Sequence, residues 1–260
     1  MIRNLRELYQ YRALLWALTV RELRARYRAS VLGFLWTFLN PTLSMAVYVF
    51  VFGWLMESDT ARFPYFVFSG LIPWIYFSSS VGAGTSAVSE RRDLLTKVRF
   101  PAQVLPATVV LTNAINFLLS IPLLVLLGVV YGQWPTWHFV FIVPLLLVQT
   151  LFTLAITYVV SAMNVAFRDL QHIMGNILQL GFFLTPVIWR IEQVKTLEQQ
   201  QLVVLLNPVA ALVEAWHDIF FRQRVPAAMP LAVVTVLSLV MMWLASTLFE
   251  HRREEFAELI

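Results

Sequence analysis

Apolar residues in this chain fall into long blocks without charge, not into a period-two alternation. Residues 29–56, 63–89, 100–167, 170–189 and 225–249 contain no Asp, Glu, Lys or Arg. At about 1.5 Å of rise per residue, about 20 helical residues cross the roughly 30 Å hydrocarbon layer of a bilayer. The first block is long enough to cross with tilt, and Asn40-Pro41 inside it favours a kink, because proline lacks a backbone donor. The freed carbonyl then needs a partner on a neighbouring helix. In the second block Pro64, Pro73, Gly82 and Gly84 interrupt the apolar pattern and leave the end of the helix open. The block 100–167 is too long for one crossing and divides at YGQWPTWH, residues 131–138. The pattern predicts six transmembrane helices, over 29–56, 63–84, 101–131, 138–167, 170–189 and 225–249. No fixed-period repeat and no Gly/Ser linker divides the chain, so residues 1–260 read as a single transmembrane domain.

Two stretches depart from this pattern. Residues 1–28 hold seven Arg and no clean apolar core ahead of a small-residue cleavage site, so they do not read as a signal peptide. NLRELYQYRALLWALT mixes Leu and Trp with Arg and Glu at helical spacing. It predicts an amphipathic helix that lies on the membrane surface or packs on a soluble partner. Residues 202–221 are apolar but carry Asn207-Pro208, Glu214, His217 and Asp218. Charges in a short apolar stretch suit a re-entrant helical hairpin, over 196–222, better than a crossing.

Composition agrees with a membrane chain. Hydrophobic residues make up 59% and charged residues 13%, with mean hydropathy +0.72. A soluble domain carries about 25% charged residues. Nine Trp fit a chain with many residues at headgroup depth, or simply fill helix interfaces. There is no Cys, which excludes disulfides and thiolate chemistry. The basic residues act first as a topology signal. Of 19 Lys and Arg, 14 fall in the N-terminal segment, the loop after the second span, Arg168 and the tail, which six crossings place on one side. Cytoplasmic loops gather Lys and Arg, so both termini are expected in the cytoplasm of a multi-pass protein, with 196–222 outside. A nucleic-acid partner is not implied by the pI of about 9.6.

Candidate chemistry is sparse. There is no GxxxxGK[ST] phosphate loop, no HExxH and no GxSxG. The four His are scattered, and Glu214, His217 and Asp218 form the one tight acid–base group. It suits a proton relay or metal site, or more commonly an interfacial hydrogen-bonded patch. Polar residues recur at helical spacing within three spans: Thr37, Asn40 and Ser44; Thr108, Thr112, Asn116 and Ser120; and His172, Asn176 and Gln179. Such stripes either line a polar conduit or bond helices together. An ion-coupled carrier keeps Asp, Glu or Lys inside its spans. None lies inside these six, so a separate ATPase is the expected energy source. The loop SERRDLLTKVRF, within 86–100, surrounds Leu94-Leu95 with charge. It suits either docking into a groove on a cytoplasmic partner or a solvated loop that sets topology.

Five stretches, taken in order, resemble a known family. RELRARYRASVLGFLWTFLNP, SERRDLLTKVRFPAQVLP, NVAFRDLQHI, FFLTPVIW and LLNPVAALVEAWHDIFF are similar to segments of permease subunits of type 2 ABC exporters for lipid-linked polysaccharide. That group exports O-antigen, teichoic acid and capsule. The resemblance covers nearly the whole chain from Arg21 onward. It implies a homodimer in the bacterial inner membrane, bound to two copies of a cytoplasmic ATP-binding subunit that carries ATP and Mg. It implies no catalytic residue, metal or cofactor in this chain. Ser89, Glu90, Arg91, Arg92, Asp93, Leu94, Leu95, Lys97 and Arg99 would form the ATPase-coupling element. Asn207, Pro208, Glu214 and His217 would belong to an external gate. Trp36, Asn40, Phe52, Thr112, Asn116, Gln179, Phe182 and Phe183 are the positions expected along a channel between protomers. The implied substrate is an undecaprenyl-diphosphate-linked glycan of the O-antigen type. Export of capsule or teichoic acid, export of drugs or small lipids, and a membrane enzyme working on glycans through His217 and Asp218 are the competing readings.

Overall fold

The computed structural model of the chain describes residues 2–27, 30–55, 62–91 and 100–251. All regular structure among the described residues is helical. Ile2–Gln10 (α1) and Arg12–Tyr27 (α2) adjoin at Tyr11. Leu8, Tyr11, Leu14, Leu15 and Leu18 follow helical spacing and lie against a buried cluster that includes Val104, Leu105, Tyr158 and Ala162. Arg6, Arg12, Arg21 and Arg24 are left exposed on the other faces.

A tight turn at Gly33–Leu35 leads into Trp36–Tyr48 (α3), which stays helical through Pro41 and widens into a π-helical segment over Val49–Leu55. Phe63–Ser86 (α4) is one uninterrupted helix. The residues that break its apolar pattern do not end it. Pro64 sits in the first turn, where its missing donor would have no partner anyway. Gly84 lets α4 approach so closely that a Cβ would collide with Thr157, and a Cβ on Gly70 would stand 2.7 Å from His217 Cε1. These glycines answer to packing.

Val104–Val130 (α5) and Ile142–Ala166 (α6) follow, the latter preceded by a 3-10 turn at Trp137–Phe141. Leu170–Leu184 (α7) has 15 residues, about 22 Å at 1.5 Å each, and stops before the end of its charge-free block. Pro186 is the cause. Thr185 before it adopts an extended conformation, φ −101° and ψ 136°, as a residue preceding proline prefers. Leu197–Leu206 (α8) and Pro208–Phe220 (α9) are bent at 113° to each other, and Ala228–His251 (α10) completes the described chain.

Five helical stretches are long and apolar enough to cross a membrane: Gly33–Trp54, Phe63–Ser86, Val104–Val130, Trp137–Ala166 and Ala228–Phe249. The bent pair α8–α9 gives a sixth if it counts as one broken span. The protein is therefore an all-α, multi-pass membrane protein. Helix α4 is its axis, buried over most of its length and packed on α3, α5, α6, α7 and α9. Apolar burial drives helices into lipid but not onto each other, so packing and interhelical polar bonds hold the bundle together. Gln149 of α6 supplies two such bonds. Its Nε2 donates to Pro73 O at 2.9 Å, and its Oε1 accepts from Trp216 Nε1, which joins α4, α6 and α9. Tyr76 donates to Thr150 Oγ1 and Tyr65 to Phe220 O, both at 3.0 Å.

Candidate functional site

Helices α3 and α7 both lean on α4 and leave a groove of about 390 Å³ between them. Its walls alternate aromatic rings with small polar groups: Tyr48, Trp74, Phe182 and Phe183 beside Ser44, Ser78 and Gln179. The rings form a continuous series. Tyr48 stacks on Phe182 at 5.2 Å between centroids, Trp74 meets Phe182 at 5.7 Å, and Phe183 meets Phe182 edge-on at 5.3 Å. The outer surface of α7 carries Gln171, His172, Asn176 and Gln179 in exposed positions among Ile173, Ile177 and Leu180. Amides and imidazoles at this depth are costly against lipid and favourable against protein or water. This face is therefore built for a protein neighbour or a wet conduit.

Of the expected channel residues, Gln179, Phe182 and Phe183 come together in the groove. Trp36, Asn40 and Asn116 line a different cavity of about 340 Å³, bounded by α2, α3, α4 and α5. Thr112 is buried in α5, where its hydroxyl donates to Thr108 O at 2.8 Å. Phe52 packs partly against the core from the π-helical segment. Tyr48 and Trp74 complete the groove, and sequence reasoning missed both. Tyr48 had a signal, because it continues the four-residue spacing of Asn40 and Ser44. Trp74 had none, because it sits in the long apolar run of α4, most of which is buried.

At the opposite end of the bundle from α1 and α2, Asn207 joins α8 to α9. Its Oδ1 accepts from the backbone N–H of Val209 and Ala210 at 3.1 and 3.2 Å, which caps α9. Its Nδ2 donates to Thr185 Oγ1 at 3.1 Å. Pro208 occupies the first turn, where no donor is needed. Arg222 then gathers three carboxylates: Glu192 at 2.7 Å, Glu214 at 2.8 Å and Asp218 at 2.9 Å. Asp218 also accepts from Arg224 at 2.7 Å. Burial works to lower the Arg222 guanidinium's pKa, but the carboxylates, Glu214 foremost, outweigh it and raise the value above the ordinary one. His217 is wholly buried and stacks on Phe66 at 4.2 Å. Its Nε2 lies 3.0 Å from Pro186 O and its Nδ1 2.9 Å from Ser69 Oγ. A carbonyl only accepts, so Nε2 carries the proton and Nδ1 faces the Ser69 hydroxyl. Both nitrogens face protein groups inside the bundle, and neither is open to a substrate.

At the end that holds α1 and α2, Ser89–Arg91 forms a 3-10 turn directly after α4. Ser89 Oγ accepts from Asn164 Nδ2 at 3.1 Å and donates to Ser86 O at 3.0 Å. Glu90 is exposed, and Arg91 pairs with Glu22 of α2. Beyond the loop, Gln103 donates to Glu7 of α1 at 3.0 Å. Arg92, Asp93, Leu94, Leu95, Lys97 and Arg99 lie outside the described residues.

Comparison with known proteins points the same way. Residues 13–221 match the model of the family described as ABC-2 type transporter. The chain is 56% identical over 260 residues, all of both chains, to the O-antigen export system permease protein RfbA of Myxococcus xanthus. It is 27% identical over 248 residues, 95% of each chain, to the protein of that name in Klebsiella pneumoniae. It is also 22% identical over 241 residues, 92% of this chain and 93% of the other, to the polysialic acid transport protein KpsM of Escherichia coli.

Proposed function

The chain belongs to the ABC-2 type transporter family, and from that premise we propose that it is the membrane-spanning permease of an O-antigen exporter. It is a transport permease, and ATP hydrolysis with its Mg belongs to a separate nucleotide-binding subunit. The substrate is an undecaprenyl-diphosphate-linked polysaccharide, carried from the cytoplasm across the bacterial inner membrane. The observation that carries this reading is full-length similarity to an O-antigen export permease. The aromatic and amide-lined groove between α3 and α7 supports it, because flat rings take the apolar faces of sugars while Ser44, Ser78 and Gln179 offer hydrogen bonds to hydroxyls.

In this assembly two copies of the permease face each other and two ATP-binding subunits dock from the cytoplasm, where both termini lie. The bare face of α3 and α7 supports a second copy as the neighbour. The coupling element runs from Ser89 through Leu94 and Leu95 to Arg99. Asn207, Pro208, Glu214 and His217 hold the external hairpin at the outer mouth. Capsule export is the second reading, favoured by the similarity to KpsM at lower identity. A membrane enzyme is disfavoured, because His217 is sealed between Ser69, Pro186 and Phe66.

Export in a deletion strain tests the proposal. Complementation restores surface O-antigen, and the double substitution Leu94→Asp with Leu95→Asp abolishes export while the chain still inserts. Purified permease alone shows no ATPase activity. Normal O-antigen on the deletion strain's surface would sink the substrate, and export by the double variant would sink the coupling assignment.

A further inference from the structure

The cavity among α2, α3, α4 and α5 is separate from the groove and has a different chemistry. Arg26, in the last turn of α2, lies at its wall, and Nη1 donates to Asn113 Oδ1 at 3.3 Å. Asn40, Ser79, Asn116 and Ser120 add polar groups. Asn113 is 4% exposed, and its Nδ2 is buried with no hydrogen-bond partner. A buried amide N–H without a partner costs stability unless something outside the chain accepts from it. Among the described residues lining the cavity there is no Asp or Glu, so Arg26 has no carboxylate there.

We propose that this cavity binds the phosphate headgroup of an anionic lipid, with Arg26 and Asn113 Nδ2 as its donors. A guanidinium with a neighbouring amide N–H matches the several acceptor oxygens of a phosphate. Most of the remaining wall is apolar, with Trp36, Ile72, Ile75 and Phe117 suited to the first carbons of a lipid chain. That combination favours a lipid over a soluble anion. The lipid is either a resident phospholipid or the diphosphate carrier of the exported glycan, since both present the same group. The inference does not depend on the transport reading, because it is tested on the permease alone.

The test is native mass spectrometry of the chain released from phosphatidylcholine nanodiscs doped with phosphatidylglycerol or with undecaprenyl diphosphate. The wild type keeps one anionic lipid per chain in preference to phosphatidylcholine. Arg26→Gln and Asn113→Asp each weaken retention by about tenfold or more, the loss of a charge-assisted bond or the gain of a repelling carboxylate. Arg26→Lys keeps most of it. Equal retention of the two dopants assigns a resident lipid, and preference for undecaprenyl diphosphate assigns the carrier. Asn113→Asp changes almost no volume, so it decides the matter even if Arg26→Gln does not fold. Retention by Asn113→Asp equal to wild type, or no preference for either anionic lipid, overturns the proposal.

Discussion

Arg91, in the turn that leaves α4, is ion-paired with Glu22 on α2. The two side chains are 27% and 33% exposed, so the pair adds less than about 1 kcal/mol to stability. Its value is positional. Together with the bond from Gln103 to Glu7, it ties both flanks of the loop 92–99 to the pair α1–α2. Arg91 and Gln103, on either side of residues 92–99, are thereby fixed to α2 and α1. Charge reversal by Glu22→Arg or Arg91→Glu is expected to lower ATP-driven export severalfold while changing thermal stability little. The double reversal restores export. Export assays with thermal unfolding of the same four proteins check this, and no restoration in the double variant counts against it.

Arg222 behaves oppositely because its network is buried. Its side chain is 13% exposed, and those of Glu214 and Asp218 are 11% and 5%. Removing the cation leaves Glu214 without its partner out of water, while Asp218 keeps Arg224; breaking a buried pair of this kind costs about 3–5 kcal/mol. Arg222→Ala is expected to lower the unfolding temperature of the purified permease by many degrees, and Arg222→Lys by less, since one ammonium cannot reproduce the guanidinium fork. An unchanged melting curve for Arg222→Ala shows that the network does not hold the hairpin.

The contact between Gly70 and His217 admits no side chain. Gly70→Ala puts a methyl 2.7 Å from the imidazole and forces α4 and α9 apart. Overpacking of this kind costs about 1–3 kcal/mol. Unfolding in detergent measures it, and a neutral result shows that the two helices part easily.

Phe183 is 55% exposed at the rim of the groove. Phe183→Ala is expected to leave stability within about 0.5 kcal/mol and to reduce glycan export. Ser44→Trp, which fills the groove, is expected to block export without loss of the folded protein. Surface glycan on immunoblots, read beside permease abundance in the membrane, separates transport loss from misfolding. Full export by both variants removes the groove from the pathway.

Much of this architecture was legible because lipid imposes a simple rule. A charge-free block of about 20 residues must pair its backbone internally, so it is helical whatever its neighbours do. The blocks around α4, α5, α6 and α10 follow that rule, and the pair Asn207-Pro208 announced the break between α8 and α9. Charge-free length is a weaker guide where backbone chemistry intervenes. Pro186 stops α7 at Leu184, five residues before its charge-free block ends at Trp189, whereas Pro73, Gly82 and Gly84 leave α4 intact, and at Gly84 the missing side chain makes room for Thr157.

The sequence by itself determined that this is a helical, multi-pass permease, through charge-free length and through ordered segments shared with a family. Only the tertiary structure decided what the polar residues within it do. One stripe on α5 divides into hydroxyls bonded to their own helix, as at Thr112, and groups lining a cavity, as at Asn116. His217 looked like a candidate acid–base group and is a sealed link between α4, α9 and Pro186. Spacing tells which residues share a helical face. It does not tell what that face meets, and a polar group's role depends on the partner it finds there.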